Sequence, residues 1–180
     1  MLRVTRVIVC LGFVFIFFAT PGQAFHKNFI CDLTVNNVGP KQADTQAKGN
    51  VAFFFDDVRK ELSYKIQVED IKDAYMAHIH IGSTGTEGPI AAWLYPIGDS
   101  DTKDRLILGK FTGTLAEGVV EQKDLSNGIT LEELLEALQK GNAYVNVHTK
   151  SFFMGAIRGQ VYSQDYLSSQ EQNPTQIGIP

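Results

Sequence analysis

The sequence is short of cysteine and of basic charge, and each shortage excludes a class of protein. It holds two cysteines in 180 residues, and 16 Lys and Arg against 20 Asp and Glu, for a formal charge of −4. Two cysteines are too few for a disulfide-dense scaffold. The acidic balance argues against nucleic acid and against anionic membrane surfaces as partners. The remaining composition is that of one ordinary globular domain.

Long apolar runs are also scarce. The longest covers residues 7–19, which are 13 residues, whereas a transmembrane helix needs roughly 20. Arg3 and Arg6 precede this run and the small residues Gly22 and Ala24 follow it, an order typical of a secretory signal peptide over residues 1–24. We therefore expect export to a periplasm, an envelope surface or the medium, with no membrane span after cleavage.

Removal of the predicted signal peptide changes the mature chain. The 24 residues removed include Arg3, Arg6 and Cys10, which leaves 156 residues, a formal charge of −6 and Cys31 as the single cysteine. An intramolecular disulfide is then excluded. Cys31 falls on the apolar side of an alternating segment, so we interpret it as a buried small hydrophobe rather than a redox or dimer-forming thiol.

Signatures of several enzyme classes are missing too. The sequence has no GxSxG nucleophile motif, no HExxH zinc-protease motif and no Ser/His/Asp order typical of a catalytic triad. The glycine-rich stretch 82–89 resembles a phosphate-binding loop in spacing, but it connects two predicted strands. Phosphate-binding loops need a helix N-terminus behind them, so we interpret this stretch as a turn-rich connection.

What the sequence does contain is an alternation of apolar and polar residues over most of its length. Residues 60–69 alternate in this way, as in a strand with one face toward water. About eight such segments occur, at 29–38, 49–55, 60–69, 75–81, 90–95, 106–115, 142–149 and 156–162. Short strands separated by turn signals predict an all-β fold, a Greek-key-like antiparallel β-sandwich or barrel.

One segment has a helical period instead. Leucines recur at helical spacing between 131 and 138, and Thr130 with Glu133 forms a capping box in front of them. We expect one short helix there, covering an open end of the core. Beyond the last strand the composition shifts to Ser, Gln, Glu, Asn and Pro without periodicity. Residues 25–163 are therefore predicted as the domain, and 164–180 as a flexible tail.

Histidines supply the candidate chemistry. His78 and His80 are two residues apart in a predicted strand, so both imidazoles point to one face. His148 ends another predicted strand and Arg158 lies on the last, and alternation places both on the outer face, away from the core. If these strands are neighbours, three imidazoles and a guanidinium meet there, a set suited to copper or zinc. The alternative is that the histidines are structural and hydrogen-bond to neighbouring loops.

Several strings in the chain resemble, in order, the motifs of the CHRD domain, named after chordin. They are HIHIG at 78–82, GPIA at 88–91, TLEELL at 130–135, GNAYVNVHT at 141–149 and GAIRGQ at 155–160. The resemblance covers roughly residues 29–162. It implies a β-sandwich or barrel distantly similar to copper/zinc superoxide dismutase, in secreted or surface proteins.

The dismutase comparison implies a role for the histidines. That enzyme's copper site also uses an HxH strand and a later histidine at the end of a valine-rich strand, with an arginine that guides the anion. His78, His80, His148 and Arg158 look like these positions. The sequence has no counterpart of the bridging histidine, of the zinc-ligand loop or of the second cysteine of the disulfide. A full dismutase site is therefore not expected, and copper alone or no metal both stay open.

Three functional hypotheses follow. The first is a secreted, non-enzymatic CHRD binding module with a histidine-based copper site on its outer face and an extracellular or envelope partner that the sequence does not identify. The second is a copper-only, superoxide dismutase-like enzyme in which Arg158 attracts superoxide. The third is a structural or interaction domain with no metal. A metal site requires that the three imidazole nitrogens can converge to about 2 Å from one point.

Overall fold

The computed structural model describes residues 26–35, 45–96 and 106–172, and the predicted signal peptide lies outside these ranges. The strands are β1 His26–Leu33, β2 Lys48–Asp56, β3 Glu61–Ile81, β4 Ile90–Tyr95, β5 Ile107–Val120, β6 Ala143–Thr149, β7 Phe152–Gln160 and β8 Tyr162–Ser163. The helices are α1 Leu131–Gln139 and α2 Gln164–Gln172, with a 3-10 turn at Gln122–Asp124. The prediction of an all-β, antiparallel fold is confirmed. Within the described ranges, no helix combines the length and the apolar composition needed to cross a membrane.

The long strand β3 organises the sheet, because four other strands pair with it, all antiparallel. Ala74 pairs with Ile107 of β5 on one side and with Thr149 of β6 on the other. Strands β2 and β6 therefore share one edge of β3, and β5 and β4 share the other. β1 pairs with β2 and β7 pairs with β6. Reciprocal backbone hydrogen bonds of 3.0 Å between Thr34 and Arg158 join β1 to β7, so the sheet closes into a nearly complete barrel.

Strand β3 corrects one prediction. The sequence predicts two strands at 60–69 and 75–81, but the structure has a single strand of 21 residues. Asp70 and Asp73 adopt positive φ angles of 58° and 53° between the two predicted halves, and the register with β5 shifts there. These residues form bulges that interrupt the alternation and bend the strand without ending it. The Asp73 carboxylate accepts a 2.7 Å hydrogen bond from the Gly109 N–H and so supports one bulge.

The core lies inside the barrel and follows the predicted alternation. Ile79 of β3 and Val145 of β6 are fully buried within it. Cys31 of β1 is also buried, as predicted, and burial raises the pKa of its thiol well above the ordinary value. Gly159 of β7 lies against this thiol, so closely that a β-carbon at Gly159 would be 2.6 Å from Cys31 Sγ. The barrel therefore closes through a glycine because no larger residue fits at this contact.

Helix α1 forms as predicted. The Glu133 N–H donates to Thr130 Oγ1 at 3.2 Å, and the Thr130 N–H donates to the Glu133 carboxylate at 2.7 Å, which completes the capping box. Gly141 follows the helix with a φ of 67°, a conformation that suits glycine. Leu134 and Leu138 are fully buried and belong to the barrel core. The helix therefore extends the core beyond the strands.

The C-terminal segment differs from its prediction in part. Residues 164–172, predicted to belong to a flexible tail, form helix α2. Tyr166 of this helix stacks on Tyr162 of β8 with ring centroids 5.4 Å apart. The sequence of α2 has no apolar repeat, and stacking between two aromatic residues cannot be detected from periodicity. The rest of the predicted tail, 173–180, lies outside the described residues.

Candidate metal centre

Three adjacent strands bring the candidate residues together. In the register of β3 with β6, His78 is opposite Asn146 and His80 is opposite Tyr144. In the register of β6 with β7, Asn146 is opposite Arg158. Residues paired across strands point their side chains to the same face. The condition that the sequence left open, that these strands are neighbours, is therefore met.

The three imidazoles converge. One ring nitrogen from each of His78, His80 and His148 lies within 4.8 Å of the other two. The ring centroid of His78 is 5.7 Å from that of His80 and 5.0 Å from that of His148. Two nitrogens bound to one zinc or copper ion at about 2 Å lie roughly 3 to 4 Å apart. The largest separation of 4.8 Å exceeds this spacing, so an ion held by all three rings would draw the nitrogens closer together.

Backbone carbonyls orient two of the rings. His80 Nδ1 is 2.9 Å from the Gly88 carbonyl oxygen, and His148 Nδ1 is 2.8 Å from the Phe153 carbonyl oxygen. A carbonyl can only accept, so Nδ1 carries the proton in both rings and Nε2 carries the lone pair. This arrangement is the one that metal-binding histidines use, because the bond to the outer nitrogen fixes the tautomer and the ring direction. Ligation through Nε2 therefore requires no change of tautomer in either ring.

Two imidazole nitrogens are buried without a partner. The Nε2 atoms of His78 and His80 have no hydrogen-bond partner among the residues that the structure describes. His148 Nε2 lies 3.2 Å from His78 Nδ1, a distance at which one proton can be shared between them. Buried polar atoms are rarely left unsatisfied, and such atoms in a cluster are consistent with a bound ion. The donor set thus fits a metal that prefers imidazole ligands.

The centre is buried, which corrects the sequence-based picture of an outer face. His78 is 2% exposed, His148 is 7% exposed and Arg158 is 7% exposed. The side chains do point away from the barrel core, as the alternation predicts. The loop 82–89 and the start of β7 supply the two carbonyls that contact His80 and His148. The alternation predicts a face of the sheet, but it cannot predict that loops cover that face.

Arg158 fastens the loop to the sheet. Its Nη2 donates a 2.6 Å hydrogen bond to the Thr86 carbonyl oxygen, and its guanidinium carbon lies 3.4 Å from the centre of the Tyr144 ring. The Tyr144 ring also stacks on His80 at 4.8 Å, and its hydroxyl accepts a 3.1 Å bond from the Gly88 N–H. The guanidinium is therefore engaged with a carbonyl and an aromatic face. Arg158 therefore helps to hold the loop 82–89 over the three histidines.

Trp93 is a site residue that the sequence analysis missed. It is opposite His78 in the register of β4 with β3, and the two rings meet edge to face with centroids 4.1 Å apart. Trp93 could have been found from the alternation in β4, where it falls between the buried residues Ala92 and Leu94 and so points outward. The pairing of β4 with the HxH segment, however, is not readable from the sequence.

The centre keeps its histidines neutral. Burial, reinforced by the neighbouring histidines, lowers the pKa of His78 from 6.5 to about 3. Burial likewise lowers the pKa of His148 to about 4, against the opposing effect of the Phe153 carbonyl, and it also lowers the pKa of His80. The charged form is disfavoured because it would have to leave water. All three rings are therefore neutral at pH 7, the form that binds metal.

Comparison with known proteins gives one match. The family model of the CHRD domain matches residues 29–161, from β1 to the end of β7. This range contains every residue of the centre. CHRD domains occur in extracellular or secreted proteins. No curated protein and no solved structure matches the chain.

Proposed function

The chain belongs to the CHRD domain family, and from this premise we propose that it is a secreted, non-enzymatic binding module that holds copper. The ligands are His78, His80 and His148. One observation carries the proposal: two buried imidazoles and one partly buried imidazole converge within 4.8 Å, and backbone carbonyls hold two of them in the tautomer that a metal requires.

Copper is the metal that suits this donor set best. Within the described residues the cluster consists of histidines, without a carboxylate or thiolate. Imidazole ligands suit copper, zinc, iron and nickel, whereas calcium and magnesium prefer oxygen ligands. Among the divalent first-row metals, sites of this kind bind copper most tightly. Bound copper would supply a soft, redox-active cation, and the chain's own residues would hold it away from water.

The surroundings of Arg158 support a binding module over an enzyme. A residue that draws an anion to a metal needs a guanidinium that faces the entry path. Here the guanidinium bonds to the Thr86 carbonyl and lies over Tyr144. We therefore assign Arg158 a positioning role, in which it holds the loop 82–89 against the sheet.

A metal-free structural domain is the second candidate, and one observation favours it. The hydrogen bonds from His80 to Gly88 and from His148 to Phe153 tie the loop 82–89 to β3 and the start of β7 to β6 without any ion. In that case the histidines hold the covering segments in place and nothing more. Metal content separates the two candidates.

The test measures metal in the purified mature chain after exposure to copper or zinc and removal of excess ion. We expect one copper per chain in the wild type and loss of that copper in His80→Ala and His148→Ala. His26→Ala is the matched control, because it removes a histidine that is not one of the three ligands. Circular dichroism checks that the variants remain folded. Equal metal content in wild type and both ligand variants would contradict the copper site.

Export is tested separately on the full chain. We expect the protein outside the cytoplasm, with a mature N-terminus at Phe25 in the mass spectrum, because the predicted signal peptide ends at Ala24. An uncleaved chain retained in the cytoplasm would contradict this part of the proposal and leave the metal site unaffected.

A further inference from the structure

We propose that the thioether of Met76 is a fourth ligand of this centre and that it makes the centre a Cu(I) site. This inference rests on the proposed copper-binding function. Met76 is opposite His148 in the register of β3 with β6. The next pair, Ala77 with Val147, is fully buried in the core, so Met76 and His148 both point away from it.

The placement brings the thioether within reach of the cluster. Residues directly opposite on antiparallel strands have β-carbons about 5 Å apart, and the flexible methionine side chain can span such a gap. Met76, His78 and His80 also follow one another at every second position of β3, on the same face as His148. The strand pairing therefore places the Met76 side chain beside His148, on the face that carries the three imidazoles.

The chemistry of a thioether selects the oxidation state. Soft sulfur ligands such as methionine favour Cu(I), while zinc takes thiolate, imidazole and carboxylate ligands. A methionine at this position therefore discriminates against zinc, which three imidazoles alone would also bind.

The charge of the surroundings leads to the same conclusion. The solvation cost of burying an ion rises with the square of its charge, so a divalent ion costs about four times as much to bury as a monovalent one. The described cluster offers neutral imidazoles and no carboxylate to offset that cost. A monovalent ion therefore fits this buried cluster better than a divalent one.

The test is an anaerobic titration with Cu(I) against a chromophoric competing chelator, together with a Cu(II) titration in air. Met76→Leu removes the sulfur and keeps the volume, a substitution that cores tolerate. Met154→Leu is the matched control, because Met154 lies near the start of β7 and is 71% exposed. We expect Met76→Leu to lower the Cu(I) affinity about tenfold or more while Cu(II) affinity falls much less. The copper X-ray absorption spectrum should contain a sulfur scatterer in wild type and in Met154→Leu only.

The outcomes separate this inference from the function on which it rests. If the wild type binds copper but Met76→Leu leaves the Cu(I) affinity and the absorption spectrum unchanged, the thioether is not a ligand and only this inference fails. Loss of Cu(I) affinity in Met154→Leu alone would also overturn it. If the wild type binds copper in neither oxidation state, the proposed function fails as well.

Discussion

The Nδ1 atom of His78 lies 3.2 Å from the Nε2 atom of His148, although 70 residues separate them in sequence. Without metal, these two nitrogens can share a proton. Two nitrogens bound to one ion at about 2 Å in tetrahedral geometry lie roughly 3.3 Å apart. The distance between these two nitrogens therefore fits both a hydrogen bond and a pair of ligands on one ion. Metal binding through these two atoms would transfer the proton of His78 from Nδ1 to Nε2 and would need no movement of β3 relative to β6.

Copper binding should quench the fluorescence of Trp93. This residue is the single tryptophan of the chain, and its ring centroid is 4.1 Å from that of His78. Cu(II) has a partly filled d shell and is redox-active, so it quenches an adjacent indole, whereas zinc has a filled d shell and no redox chemistry. We expect a stoichiometric loss of emission in a Cu(II) titration and little change with zinc.

His148→Ala is the control for this experiment. The variant keeps Trp93 and His78 but loses one ligand, so the quenching curve should become shallow and non-stoichiometric. Equal quenching in wild type and His148→Ala would show that copper binds elsewhere near the indole.

The metal-free protein should lose stability as the pH falls from about 7 toward 4. The pKa values of His78 and His148 are about 3 and about 4 in the fold and near 6.5 in the unfolded chain. Between these values the unfolded chain binds protons that the folded chain does not, so the free energy of unfolding decreases with decreasing pH. Each histidine contributes about 1.4 kcal/mol per pH unit where the difference is one full proton. Urea unfolding at pH 7, 6 and 5, in the presence of a chelator, measures how the free energy of unfolding changes with pH.

His148→Gln isolates the contribution of the histidines from that of the carboxylates. It should reduce the change of the free energy of unfolding with pH by about 1 kcal/mol per pH unit between pH 6 and 5. His26→Gln provides the comparison, because His26 is not one of the three histidines. An unchanged slope in His148→Gln would mean that this imidazole already binds protons in the folded state.

Gly88→Ala should loosen the loop over the centre. A β-carbon at Gly88 would overlap the Ile81 carbonyl oxygen, so the loop must move away from the end of β3. That movement breaks the hydrogen bonds of Gly88 with His80 and Tyr144. Two buried hydrogen bonds at about 1 kcal/mol each predict a loss of about 2 kcal/mol. Urea unfolding measures the loss, and hydrogen exchange should show faster exchange across residues 82–89.

Gly85→Ala is the matched control in the same loop. Gly85 has a φ of 79°, and a β-carbon there meets no atom within 4 Å. The expected cost is about 1 kcal/mol of backbone strain, with the bond between His80 and Gly88 kept. Copper affinity should fall in Gly88→Ala and stay near wild type in Gly85→Ala. The same affinity in both variants would contradict the role given to the Gly88 carbonyl.

Thr130→Ala should lower the free energy of unfolding by about 1 kcal/mol, because it removes the side-chain cap of α1. Thr130→Ser keeps the hydroxyl and should retain most of the stability. Urea unfolding of the two variants is the measurement. A serine variant as unstable as the alanine variant would show that the methyl group of Thr130, rather than its cap, stabilises the helix.

The sequence predicts the local features of this fold well. Alternation assigns the inward and outward sides of β6 because a strand repeats every two residues, and Thr130 and Gly141 mark the ends of α1 through backbone chemistry confined to a few residues. The interruption of the alternation between 69 and 75 predicts a strand end for the same local reason. A bulge and a turn look alike in the sequence, and only the pairing of β5 across the break distinguishes them.

The sequence predicts the histidines of the centre, but it does not predict the residues and loops that surround them. The HxH spacing identifies His78 and His80, and the valine alternation places His148 on the same side. The contacts of Trp93 and Met76 depend on which strands pair and in which register. The burial of the histidines depends on loop contacts such as that of Arg158 with the Thr86 carbonyl. These are long-range interactions that a local pattern does not encode.

Arg158 takes part in two separate contacts, one through its backbone and one through its side chain. Its backbone forms the hydrogen bonds with Thr34 that join β1 to β7, and its side chain holds the loop over the centre. Loosening of this seam would therefore weaken one of the bonds that hold the loop over the centre. If the centre holds copper, partial opening of the barrel and exchange of the metal would then be coupled through this one residue.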